Sequence, residues 1–262
     1  MKLLINFLAI LSLLFPPLPQ RGGQVIISPA PVSGGNTNAS WVQTCSQASA
    51  STSSLSVTIA VGTGTLGCQT TFTAGNCLVL DYSVYSASDL VVGGLSGSGA
   101  TITWHKAGSV NSSGSTAYDG SFYSCGADIG SPTSSILITV ANSGGTYWGF
   151  TLTEVHGPTA LDTGGFVSNT GTSGATLTVG PSGTLTNTNE YVDVFARAAG
   201  SFQTLTAGSC FGGTCTLPAN GQPGIITMAM EYIIPSATTA GSAAFGDPHS
   251  GDSYGMIMTI LK

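Results

Sequence analysis

From Ala74 to Val84 the chain reads Ala-Gly-Asn-Cys-Leu-Val-Leu-Asp-Tyr-Ser-Val, a turn signal running straight into apolar and β-branched residues. The run is long enough to cross a sheet, and it sets the pattern for the rest. Leu55-Ser56-Val57-Thr58-Ile59-Ala60-Val61 alternates cleanly, with Leu55, Val57, Ile59 and Val61 on one face, as in a half-exposed antiparallel strand. Strand signals also fall at 41–43, 89–92, 101–105, 120–124, 136–140, 147–155, 175–179, 191–196, 225–233 and 255–261, separated by Gly- and Ser-rich turns. Strands at this spacing predict an all-β, antiparallel sandwich over residues 41–262. Asp81 shares a strand face with Cys77 and Val79, so it either emerges at the strand end or needs a buried partner.

Composition argues against helices. Only 6% of the 262 residues are Asp, Glu, Lys or Arg, against roughly 25% in an average globular protein, and long solvated helices draw on those residues. The net charge of −6 reflects a shortage of cations, since the eleven carboxylates are scattered singly. Lys106 and Arg197 are the sole cations between Arg21 and Lys262, which excludes a nucleic-acid partner and an anionic membrane surface.

Residues 1–20 read as a signal peptide or an uncleaved N-terminal anchor: a Lys, an apolar run from Leu3 to Phe15, then a Pro-rich break. Residues 21–40, rich in Gly, Pro, Ser and Asn, read as a linker. Both readings put the body of the protein outside the cytoplasm, at the cell surface or secreted. Six cysteines fit that setting. Cys210 and Cys215 flank a Gly-Gly turn and are placed to bridge a hairpin. Cys45, Cys68, Cys77 and Cys125 remain for two more bridges or for buried thiols. A zinc site is the rival reading, but the C-x₂-C spacing is absent.

The halves echo each other. Asn76 to Asp81, followed later by a strand ending Thr153-Glu154-Val155, is matched by Asn189 to Val194, followed by a strand ending Met230-Glu231-Tyr232. Two related layers of a jelly roll would produce this, and so would strands of similar composition aligned by chance. The order of Trp41-Val42-Gln43, a Ser/Thr-rich alternating strand, Ala74-Gly75-Asn76-x-Leu78-Val79, a Trp148 strand closing on Glu154-Val155-His156-Gly157 and an apolar final strand resembles that of secreted or phage-associated bacterial β-sandwich proteins. The resemblance covers residues 41–262. It implies a jelly-roll, lectin-like fold and an extracellular setting, and carries over no catalytic residue.

The chemistry-bearing residues are few. Glu154 and Glu231 would serve as paired carboxylates for glycoside hydrolysis if they flanked one bond. Their bland role is to accept hydrogen bonds at strand ends. Asp247 and Asp252, with His249 in a Gly/Ser loop, offer oxygen ligands that suit calcium, although turn chemistry explains the same residues; no other cofactor is implied. Trp104, Tyr118, Tyr123 and His156 are candidates for a sugar-binding surface, with core filling as the alternative for the aromatics. The lead expectation is a non-enzymatic surface protein that binds glycan or another cell-surface ligand, or assembles with its own copies. The alternative is a carbohydrate-active hydrolase using Glu154 and Glu231.

Overall fold

The computed structural model describes residues 38–49, 55–60, 71–85, 88–90, 95–98, 102–112, 117–129, 135–140, 147–199, 203–218, 222 and 227–262. The expected N-terminal signal or anchor, and the linker up to residue 37, lie outside them.

The described residues form an all-β structure whose one helical element is a single 3-10 turn at Gly126–Asp128. The first half contains β1 (Ser40–Ser49), β2 (Leu55–Ala60), β3 (Cys77–Val84), β4 (Leu95–Ser98), β5 (His105–Asn111), β6 (Tyr118–Cys125), β7 (Ser135–Val140) and β8 (Trp148–His156). The second contains β9 (Leu161–Thr172), β10 (Thr176–Val179), β11 (Tyr191–Ala199), β12 (Ser209–Cys210), β13 (Gly213–Thr214), β14 (Met228–Ile233), β15 (Ala243–Gly246) and β16 (Ser253–Leu261).

Four sheets result, and every pairing in them is antiparallel. Sheet one has the order β1-β8-β3-β6-β5 and sheet two β2-β7-β4; sheet three has the order β14-β11-β16-β9 and sheet four β10-β15-β12-β13. The connectivity is duplicated. The first-half ladders β1·β8, β8·β3, β3·β6, β2·β7 and β7·β4 recur in the second half as β9·β16, β16·β11, β11·β14, β10·β15 and β15·β12. The echo of Asn76–Asp81 at Asn189–Val194 is therefore structural, because β3 and β11 hold the same place. The two glutamates are not equivalent: Glu154 lies on β8, whose counterpart is β16, whereas Glu231 lies on β14, whose counterpart is β6.

Two of the expected elements shift, and β9 is an addition to them. Asp89 and Leu90 are not in a strand, and residues 101–105 contribute one isolated bridge at Ile102 before β5 begins at His105. β9 had no clear alternation to announce it: Leu161-Asp162-Thr163-Gly164-Gly165-Phe166-Val167-Ser168-Asn169-Thr170-Gly171-Thr172 carries few apolar residues, and pairing with β16 makes it a strand.

Sheets one and three pack face to face, so their inner strands are buried on both sides, while the edge strands β5 and β9 keep partly exposed residues. On β3, Leu78, Leu80, Tyr82 and Val84 face a core whose described residues all come from the first half, including Trp104, Phe122, Phe150 and Leu152. Val192, Val194 and Ala196 of β11 face a second core shared with Leu177, Val179 and Phe245 of sheet four. The opposite faces meet at a seam. Cys77, Val79, Cys125 and Val155 pack there against Tyr191 and Leu261, and Ala48 against Phe195, Met228, Met230 and Ile257. Burial on both sides explains why β3 is apolar on both faces rather than alternating.

The seam also holds charge. Asp81 of β3 lies against Asp193 of β11 across it, each carboxyl shifting the other, and Thr151 donates to Asp81 at 3.5 Å. Burial is the main cause that raises both carboxyls: Asp81 is pushed up to about 6 and Asp193 well above the ordinary range, the latter also by the charge of Asp81. Tyr191 donates to Asp193 at 3.2 Å. Farther along β11, Arg197 reaches Asp119 of β6 at 3.3 Å and Tyr85 at 3.0 Å, and donates to Ser112. Asp119 and Arg197 are both almost fully buried.

Two glycines permit this approach. A Cβ on Gly108 of β5 would enter the Phe166 ring, and one on Gly255 of β16 would strike the Asp119 carboxylate. Gly255→Ala should therefore cost roughly 1–3 kcal/mol through overpacking. Gly174→Ala, which meets open space, is the control and should stay within about 0.5 kcal/mol of the parent in chemical denaturation. Equal stabilities for the two variants would contradict the seam.

Candidate functional site

The turn that introduces β3 is built as its sequence suggests. The Asn76 N–H donates to the Thr73 carbonyl at 3.2 Å, and Gly75 takes φ +89°, the left-handed conformation needed at the third position of a type II turn. Glu154, fully buried on β8, braces it. Its Oε1 accepts the Thr73 N–H and the Asn76 side-chain amide, both at 2.7 Å, and its Oε2 accepts the Gln43 amide at 2.7 Å. A carboxylate taking three donors is a structural anchor that ties β1, β3 and β8 together.

Glu231 is buried differently. Its Oε2 accepts one backbone N–H, from Gly208 at 3.1 Å, while Oε1 lies 3.5 Å from Cys210 Sγ. Desolvation pushes its carboxyl up to about 8, and the single hydrogen bond only partly opposes that.

The two glutamates do not converge. Glu154 shares its face with Trp148, Phe150 and Leu152, which line the first-half core, whereas Glu231 shares its face with Ala229, in the second-half core. Sheets one and three stand between them, so the pair does not flank one bond.

The candidate aromatics are similarly dispersed. Trp104 is in the first-half core, with Tyr118 half-buried against it. Tyr123 lies on the opposite face of β6, packed at the seam and stacked on His105 with ring centroids 5.3 Å apart. His156 is exposed, its Nδ1 3.0 Å from Asn76 Oδ1. These four residues form no shared platform. In the 247–252 loop, Asp247 is buried and accepts the His249 N–H at 3.0 Å, while Asp252 pairs with His249 Nδ1 at 3.2 Å. Both interactions are short-range turn chemistry. Among the described residues, the group of three side chains close enough to hold one metal ion is instead Cys210, Cys215 and Glu231.

Cys210 and Cys215 are bonded across the hairpin formed by β12 and β13, as their spacing suggested. Cys77 and Cys125, left open by the sequence, sit directly opposite each other on β3 and β6 and are also bonded. Closing a 48-residue separation contributes roughly 4 kcal/mol through unfolded-state entropy. Cys45 is disulfide-bonded too, and no described cysteine is free.

All eleven carboxylates fall within the described residues, and eight are buried: Asp81, Asp119, Glu154, Asp162, Glu190, Asp193, Glu231 and Asp247. The other three have basic neighbours. Asp89 pairs with Lys106, Asp128 with His105 at 2.8 Å and Asp252 with His249. Composition gave the number of acids; it could not show that the fold withdraws most of them. No known family model matches the chain, and no curated protein matches it.

The brace can be tested directly. Glu154→Ala strands three donors and should cost about 3 kcal/mol or more, while Glu154→Gln, which keeps one acceptor oxygen, should recover part of the loss. Urea denaturation of both variants gives the ordering, and an Ala variant as stable as the parent would sink the assignment.

Proposed function

We propose that the chain is an exported, non-enzymatic surface protein that engages neutral partners, either a glycan or further copies of itself, through the loops and strand edges of jelly-roll sandwiches. The observation that carries this reading is the nearly uncharged exterior. With eight acids buried and the other three beside basic side chains, little remains on the described surface to recognise a charged ligand or to repel a second copy. A surface near neutrality favours association.

The strand order supports the jelly-roll part. Strands one, eight, three and six of each half form one sheet and strands two, seven and four the other, with β13 completing the second sheet in the second half. That interleaving is the arrangement of a jelly roll. Export is supported by the apolar N-terminal run and by the bonded cysteines. The hydrolase alternative lacks a converging acid pair.

Sedimentation velocity in low and high salt, paired with a glycan array, tests this function. Self-association, or binding to neutral glycans in preference to sialylated or sulfated ones, should persist with little change as salt rises. A monomer that binds no glycan, binding that collapses in salt, or release of reducing sugar would each overturn the reading.

A further inference from the structure

Glu231 is an expense that the Cys210–Cys215 disulfide does not require. A disulfide needs no charged neighbour, yet this carboxyl is fully buried, holds one backbone N–H, and points its free oxygen at a cysteine sulfur. Among the described residues no cation offsets it: Arg197 is engaged with Asp119, Lys106 with Asp89 and Lys262 with Asp162. Burying a carboxyl under these conditions is costly, and the chemistry of its neighbours suggests what offsets the cost.

We propose that Cys210, Cys215 and Glu231 form a redox-gated site for a thiophilic divalent cation of the zinc type, closed as a disulfide when oxidised and open as a two-sulfur, one-oxygen ligand set when reduced. The ligand atoms of the three residues lie within 4.8 Å of one another. With Zn–S near 2.3 Å and Zn–O near 2.1 Å, adjacent tetrahedral ligands stand about 3.6 Å apart. The Cys210 Sγ to Glu231 Oε1 distance is 3.5 Å, so that pair is already placed. The sulfurs would separate to about 3.8 Å on the same geometry, a side-chain movement across Cα atoms that are 5.3 Å apart. Three protein ligands leave a fourth position for water.

The hairpin offers a route of entry. β13 is the outermost strand of sheet four, and Gly212, Gly213 and Thr214 are exposed while both cysteines are buried beneath them. Opening this short edge element disturbs little else, because β13 pairs with β12 alone.

A dithiol reductant supplies two electrons and two protons, its own sulfurs joining in a disulfide as the Cys210–Cys215 bond breaks. Cation binding then forms two metal–sulfur bonds and one metal–oxygen bond. It releases both thiol protons, together with the Glu231 proton wherever that carboxyl is protonated. Binding therefore strengthens as pH rises.

The test is cobalt(II) titration of the full chain, once oxidised and once prepared and held under a dithiol reductant, followed by visible absorption. The reduced protein should bind one equivalent with intense tetrahedral bands and a sulfur-to-cobalt charge-transfer band, and the oxidised protein none. Cys77→Ser/Cys125→Ser, which removes the other described pair, should retain the signal. Cys210→Ser/Cys215→Ser should lose it, and Glu231→Gln should weaken binding at least tenfold. Reduced protein that remains folded by circular dichroism yet gives no tetrahedral bands overturns the proposal, as does an unchanged affinity in Glu231→Gln. Should the reduced parent unfold, the Cys210→Ser/Cys215→Ser variant reports whether the hairpin bond is the cause. Unfolding of that variant would also count against the site, since a folded state with the hairpin bond open is required.

Discussion

The inner strands of sheets one and three are buried on both faces, and most of the molecule's unusual features follow from that. A sheet with one wet face can alternate apolar and polar residues, but β3 and β11 have no wet face to use. The polar groups that the two sheets carry toward the seam are cut off from water; the hydroxyls of Ser83 and Thr259 have no hydrogen-bond partner there, whereas the charged groups meet one another. Asp81 finds Asp193, and Arg197 finds Asp119, Tyr85 and Ser112. Buried ionic contacts of this kind are weak contributors to net stability, because desolvation consumes much of what the attraction returns. Their value lies in register: only one docking of the two sheets satisfies them.

The two carboxyls impose a direction on the pH dependence. Asp81 has a folded pKa of about 6, above its unfolded value of about 3.9, so its contribution is fully present below the unfolded value and is lost as pH rises through the folded one. Asp193 is raised in the same direction, by burial and by the charge of Asp81. The seam is therefore favoured most with both carboxyls protonated, below about pH 4, and loses that support as pH rises through about 6. Glu231, raised to about 8, has the same sign over a higher range.

Much of this was legible in the sequence, for physical reasons. The Ala74-Gly75-Asn76 signal became the turn it resembles, since a residue free to take positive φ is needed there, and period-two alternation located β2, β7 and β8. The requirement that Asp81 have a buried partner was also readable, but the identity of that partner was not, because it comes from a strand 112 positions away whose own Asp looks unremarkable. β9 and the short β12, β13 and β15 are strands by pairing more than by propensity, which local pattern does not capture. The hydrolytic pairing of Glu154 with Glu231 fails on a matter of faces: alternation gave each residue's side of its own strand, while the stacking order of the sheets decided that those sides look away from each other. The withdrawal of charge was invisible for the same reason, since composition counts acids without saying which layer receives them.

The most specific feature of the seam is the approach of Asp81 to Asp193. Carbon-detected NMR titration of the aspartate side-chain carboxyls measures it most directly. The two should titrate as a coupled pair, Asp81 near 6 and Asp193 above the ordinary aspartate value, with Asp81 moving up when Asp193 is replaced by Ala, which removes the neighbour that holds it down. Two independent titrations near the ordinary value of about 3.9 would contradict it.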